Sequence, residues 1–310
     1  MPAGPEPSYL GLDESGELAE RAAAAREMLS RCRLCPRECG VNRLDGETGF
    51  CGGGEEALVG SVSAHFGEER PLVGVGGSGT IFLAGCNLGC LFCQNYELSH
   101  LGMGREVGRG ELANMMLQLQ RAGCHNINFV TPTHFMPQIL AALGAAIERG
   151  LTVPLVYNCG GYESLEALKL LDGVVDIYMP DAKYSNSAAA EELSGAPDYP
   201  ERMRAAIAEM HRQVGDLVIS DEGLAVRGLL VRHLVLPEDL AGTAEVMRFL
   251  ASLSRDTYVN VMAQYRPCFR ANEHPPMDRR ITMQEYREAV QLALDAGLHR
   301  LDERPLAWLR

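Results

Sequence analysis

The chain has 310 residues, 46% of them hydrophobic, and a formal charge of −13 from 28 Lys and Arg against 41 Asp and Glu. That length buries a large core, and the acidic balance disfavours diffuse binding to nucleic acid or to an anionic membrane; a local basic run, Arg31, Arg33, Arg37 and Arg43, is the exception. No early segment joins a basic start to an apolar run of signal-peptide length, and no stretch approaches the roughly 20 apolar residues of a membrane span, so the expected setting is the cytoplasm.

Residues 1–13 contain Pro and Gly and are expected to be loose. Residues 14–30, ESGELAERAAAAREMLS, are rich in helix formers and predict a helix. The stretch 31–76 is rich in Cys, Gly and Arg with little periodicity, which predicts a compact segment organised by a ligand rather than by a core. Beyond it, short apolar runs alternate with helical patterns. Strands are predicted at TIFLAG (80–85), NINFVT (126–131), TVPLVYN (152–158), VVDIYMP (174–180), GLLVRHLVL (228–236) and TYVNVMAQ (257–264). Helical patterns cover 110–123, 134–149, 163–171, 187–214, 238–253 and 282–296.

Six strand–helix alternations predict an α/β fold with parallel strands joined by crossovers: a partial (βα)6 barrel over 77–310, with a doubly wound sheet as the alternative. Before it stand an N-terminal segment, 1–30, and a cysteine-rich extension, 31–76. In such a barrel the chemistry gathers at the carboxyl ends of the strands.

Ten cysteines in a reducing compartment argue for metal or redox chemistry rather than disulfides. Cys124, Cys159 and Cys268 stand alone and read as small core residues. Cys86, Cys90 and Cys93 follow the first predicted strand in IFLAGCNLGCLFCQN, where Gly85 and Gly89 let the backbone turn tightly enough for three thiolates to converge. Three thiolates on a [4Fe-4S] cube leave one iron open to an outside ligand.

Cys-x3-Cys-x2-Cys with an aromatic residue, Phe92, before the last cysteine resembles the signature of the radical S-adenosylmethionine (SAM) superfamily. The resemblance implies that SAM occupies the open iron through its methionine amine and carboxylate. One electron from the reduced cluster then cleaves SAM to methionine and a 5′-deoxyadenosyl radical, which takes a hydrogen atom from a substrate. Within the superfamily the chain is most similar to the pyruvate formate-lyase activating enzymes and their homologues, over about residues 31–300. That likeness implies a glycyl-radical enzyme as target and a reductant such as flavodoxin or ferredoxin.

Further positions follow from the same resemblance. Family activases hold the SAM amine with a Gly-Gly-Glu motif after the second strand; this chain has VTPTHF there, so Thr131, Thr133 and His134 take its place, with hydroxyls and an imidazole able to accept the same hydrogen bond. Asn158 lies at the end of the third strand, before the paired Gly160 and Gly161. MPDAKY after the fourth resembles the family's Asp-Leu-Lys motif and implies SAM contacts for Asp181 and Lys183, which project the same way. In VRHLVLPED, Arg232 and His233 alternate faces, and Arg232 is expected to turn inward to the SAM carboxylate. Gln264, with Tyr265 and Arg266, ends the sixth strand and can read adenine or substrate.

Cys32, Cys35, Cys39 and Cys51 have enough sulfur to saturate a second metal without SAM, either zinc or an auxiliary iron-sulfur cluster. Two other readings compete with an activating enzyme: radical SAM modification of a small molecule or peptide, and an iron-sulfur electron carrier or zinc-stabilised scaffold. The last tolerates loss of Cys90.

Overall fold

The computed structural model describes residues 6–302, so residues 1–5 of the expected N-terminal segment and 303–310 of the expected barrel lie outside it. Helix α2 (Glu17–Glu27) fills the stretch predicted as a helix, but α1 (Tyr9–Glu14) lies in the segment expected to be loose, which is helical there and buries Tyr9. The two helices part at Gly16, whose φ of 80° leaves the helical region. After the cysteine segment come β1 (Ala57–His65), α3 (Arg70–Val73), β2 (Ser78–Leu83), α4 (Tyr96–Ser99), β3 (Arg105–Val107), α5 (Arg109–Arg121), β4 (Ile127–Val130) and α6 (Met136–Ile147). The chain continues through β5 (Leu155–Cys159), α7 (Leu165–Leu170), β6 (Ile177–Pro180), α8 (Ser187–Ser194), α9 (Tyr199–Val214), β7 (Val218–Ile219), β8 (Ala225–Leu234), α10 (Thr243–Leu253), β9 (Tyr258–Met262) and α11 (Met283–Asp295).

All six predicted strands are present, and they pair in parallel in the order β2-β4-β5-β6-β8-β9. β5 and β6 are buried throughout and β2, β4 and β9 nearly so, as expected of strands covered on both faces, while the ten-residue β8 is half-buried toward its ends. The fold is therefore the α/β partial barrel. Its carboxyl ends are held level by the register: Val130 pairs with Asn158, Cys159 with Pro180, and an isolated bridge joins Asp181 to Arg232.

Three strands are absent from the sequence reading. β1 lies inside the stretch expected to lack periodicity, pairs antiparallel with β2 and carries β3 on its other edge, so residues 57–65 belong to the main sheet. β7 is two residues long and pairs with β8. The single helix predicted at 187–214 is two helices, because Gly195 closes α8 in a left-handed conformation (φ 56°) and Pro197 follows it. The helix predicted from 238 starts at Thr243, since Glu238 and Asp239 both take positive φ. α2 packs on α6, which packs in turn on α5 and buries Met136, Ile139, Leu140, Leu143 and Ala146.

Candidate active site at the carboxyl ends of the strands

β2 delivers the chain to Gly85, which turns at φ 79°; a Cβ there would overlap the Cys51 carbonyl oxygen. The loop then runs through Cys86, Cys90 and Cys93. Phe92 is buried beneath it and meets Tyr184 and Tyr265 edge-on, with ring centroids 6.4 and 5.9 Å away, which fixes the loop to the barrel. Every sulfur accepts a hydrogen bond: Leu88 N–H donates to Cys86 Sγ (3.3 Å), the Ser194 hydroxyl to Cys90 Sγ (3.1 Å) and the Ser99 hydroxyl to Cys93 Sγ (3.1 Å). Such donors favour thiolate. Burial acts against it, pushing the Cys86 thiol up to about 12 and raising Cys90 as well, so metal loading must displace protons.

The three cysteines open on a cavity of about 230 Å³ that Thr131, Asn158, Asp181, Lys183, Arg232 and Gln264 also line. Arg232 donates through Nε to Asp181 Oδ1 (2.8 Å) and through Nη2 to Asn158 Oδ1 (2.7 Å), and Lys183 Nζ donates to Asp181 Oδ2 (2.6 Å). Burial would lift the Asp181 carboxyl, but Arg232 and Lys183 outweigh it and hold the group below the usual carboxylate range. Burial likewise works against the Lys183 ammonium, and Asp181 reverses it. Two cations share one carboxylate, so the cavity carries a net positive charge in an acidic chain. The alternation expected in β8 holds: His233 faces away and bonds the Ala182 carbonyl (2.6 Å) and Thr243 (3.0 Å).

Thr131 sits at φ 63°, an outlier for a β-branched residue, held by its N–H to the Asn158 carbonyl (2.8 Å). The strained residue faces the cavity.

Thr133 and His134 do not join this cavity. Both are buried, because the 3-10 turn after Pro132 carries them beneath the rim. The Thr133 hydroxyl donates to Glu163 Oε1 (2.7 Å), and Tyr157 donates to Glu163 Oε2 (3.2 Å). Glu163 is a carboxyl that the sequence reading missed. Burial pushes it up to about 7, against the hydrogen bonds from Thr133, Tyr157 and Cys159. Its only sequence signal is a charged residue inside an otherwise apolar and glycine-rich strand end, YNCGGYES. The sequence reading also missed Ser99, six residues past Cys93, and Ser194, 104 residues from Cys90, because an ordinary hydroxyl carries no signal of its own.

His134 instead lines a second, small cavity with Cys32, Cys35, Cys39 and Cys51. Its Nε2 bonds the Ala84 carbonyl (2.8 Å), which assigns the proton there, and its buried Nδ1 has no partner among the described residues. Burial pushes the imidazole down to about 4, so it is neutral. Burial also pushes the Cys35 thiol up to about 12 and raises Cys51. Among the described residues no three His, Cys, Asp or Glu side chains close tightly enough to hold a single metal ion. A cubane gives each thiolate its own iron and spreads its ligands over a wider shell.

A model of the radical SAM superfamily matches residues 80–229. An uncharacterized protein of Methanocaldococcus jannaschii is 33% identical over 279 residues, which span 87% of this chain and 76% of that protein. The chain belongs to the radical SAM superfamily. A second uncharacterized protein of the same organism is 26% identical over 158 residues, 46% of each chain. The crystal structure of a radical SAM methyltransferase from Sphaerobacter thermophilus superposes with a TM-score of 0.46 at 15% identity, covering 71% of this chain and 64% of the other. The radical SAM match takes in Cys86, Cys90, Cys93, Asp181 and Lys183, while Arg232 follows it and the four N-terminal cysteines precede it. Membership implies a [4Fe-4S] cluster and SAM. The three hydrogen-bonded sulfurs on one cavity wall, facing a cationic rim, are a donor set that fits both. No helix among the described residues is long and apolar enough to cross a membrane.

Proposed function

We propose that the protein is a cytoplasmic radical SAM enzyme that removes a hydrogen atom from a substrate bound over the carboxyl ends of its strands. The observation that carries this reading is the shared cavity of Cys86, Cys90 and Cys93 with the Arg232–Asp181–Lys183 network. When bound, the cluster and SAM supply a one-electron cleavage that releases methionine and generates a hydrogen-abstracting 5′-deoxyadenosyl radical.

The protein's own part is to bind, orient and shield. Cys86, Cys90 and Cys93 would hold the cluster, and the cavity they open on would hold the amino acid end of SAM. Arg232 and Lys183 offer guanidinium and ammonium to its carboxylate, and Asp181 holds both in place. Asn158 fixes the second arm of Arg232. Leu88, Leu98, Val130, Leu234 and Met262 line the same cavity and keep water from a reactive carbon centre.

The test is anaerobic reconstitution with iron and sulfide, reduction, addition of SAM and quantification of 5′-deoxyadenosine in wild type and Cys90→Ala. Product from the wild type alone is expected. No product from a fully loaded, reduced wild type would overturn the reading and favour an electron carrier or scaffold.

For the target, the likeness to pyruvate formate-lyase activating enzymes supports a backbone glycine of a partner protein, with flavodoxin or ferredoxin as reductant. Mixing the reduced, SAM-loaded protein with a glycyl-radical enzyme should give an organic-radical doublet by electron paramagnetic resonance. Formation of 5′-deoxyadenosine without that doublet would move the target to a small molecule or a peptide side chain.

A further inference from the structure

Arg43 is completely buried, yet it meets only carbonyls: Nε and Nη2 donate to Gly54 O (2.9 and 2.6 Å) and Nη1 to His134 O (2.6 Å), with the guanidinium 5.4 Å from the Phe135 ring centre. Arg37, half-buried, has the same kind of partners. It donates to the carbonyls of Asn87 (3.0 Å), Leu88 (3.0 Å), Ser194 (2.9 Å) and Gly195 (2.6 Å) and lies 3.9 Å over the Phe50 ring. Among the described residues, no carboxylate forms an ion pair with either arginine, although the chain has 41 acidic residues. Buried charge is costly unless it is compensated, and carbonyl dipoles compensate it only in part.

The missing negative charge has a source within the same small cavity. Arg37 and Arg43 line it together with Cys32, Cys35, Cys39 and Cys51, and with one carboxylate, Glu38, which is exposed to solvent and forms no ion pair with either arginine. The Cys39 sulfur already accepts the Phe50 N–H at 3.5 Å, and the Cys51 thiol, raised by burial, is lowered in turn by Arg43. Four thiolates on a [4Fe-4S] core of charge +2 leave a net charge of −2. Two guanidinium groups cancel it.

We propose that Cys32, Cys35, Cys39 and Cys51 ligate one dianionic tetrathiolate centre, and that Arg37 and Arg43 are its counter-cations. The centre stands directly behind the three-cysteine loop: the Cys51 carbonyl abuts Gly85, and Arg37 grips the carbonyls of Asn87 and Leu88 between Cys86 and Cys90. Arg37 also bonds the carbonyl of Ser194, whose hydroxyl donates to Cys90 Sγ. The second centre thus shares the scaffold that sets the first.

The deciding experiment uses the full chain with Cys86, Cys90 and Cys93 all changed to Ala, purified anaerobically and offered either zinc or iron with sulfide. It is independent of SAM cleavage, so its failure and the failure of the radical SAM reading are distinguishable. We expect four irons with the visible absorption of a cubane, as the spread of the four sulfurs requires; one zinc per chain and no iron would overturn the cluster. Retention of neither metal by a folded protein would overturn the ligand set. Introducing Arg43→Met into that background should speed metal loss to a chelator about tenfold or more, with Arg43→Lys restoring most of the retention. If Arg43→Met fails to fold, Arg37→Met is measured in the same way. Unchanged metal retention in the folded arginine variant would overturn the charge-balance assignment.

Discussion

Arg232 on β8 and Asp181 beyond β6 are 51 residues apart in sequence, yet they join across the sheet at 2.8 Å, while a parallel bridge pairs their backbones. The pair turns the rim into a binding surface for a carboxylate, since the second arm of the guanidinium reaches Asn158 on β5 and Lys183 shares the same aspartate.

Arg232→Ala should therefore weaken SAM binding while leaving the iron content unchanged. A charge-assisted hydrogen bond contributes about 1.5–3 kcal/mol, so the expected loss is about 10- to 100-fold in Kd. Equilibrium dialysis on the reconstituted protein, with iron analysis alongside, measures both. Loss of iron with the arginine would make it a structural residue.

Gly85 is the point where cluster loop and cysteine segment touch. Gly85→Ala imposes a left-handed conformation on an L-residue, about 1–2 kcal/mol, and drives its Cβ into the Cys51 carbonyl oxygen. The melting temperature should fall and less iron should load at the three cysteines. A variant that melts and loads as wild type does would remove this contact from the account.

Glu163 gives a pH signature. Its pKa is raised to about 7 in the fold, from an ordinary value of 4.5, so between those values the folded protein keeps a proton that the unfolded chain releases. Its contribution is fully present below about 4.5 and is lost as pH rises through 7. At 1.36 kcal/mol per unit this loss is on the order of 3 kcal/mol. Glu163→Gln should gain stability relative to wild type as pH rises from 5 to 8. Thermal melts of both proteins across that window test it, and parallel curves would refute it.

The hydroxyls of Ser99 and Ser194 stabilise negative charge on Cys93 and Cys90. A reduced cluster carries one more electron, so removing a donor should make reduction harder. Ser99→Ala and Ser194→Ala are each expected to lower the cluster's potential without changing its iron content, as followed by redox titration with electron paramagnetic resonance.

Sequence alone determined the six parallel strands, the three-cysteine loop after the first of them and the inward turn of Arg232. These depend on local pattern: apolar runs of strand length between helical periods, ligand spacing in one short loop, and the alternation of side chains along a strand. What the tertiary structure decided is contact between distant segments. β1 alternates too weakly to announce its place beside β2, and nothing local in VTPTHF says that His134 drops beneath the rim to the N-terminal cysteines while Thr133 turns to Glu163. The arginines of CRLCPRECGVNR read as a local basic run; only the fold buries Arg43 without a carboxylate and aims Arg37 at the backbone of the cluster loop. Burial and charge compensation belong to the packed molecule, because each depends on which segments exclude water from the same place.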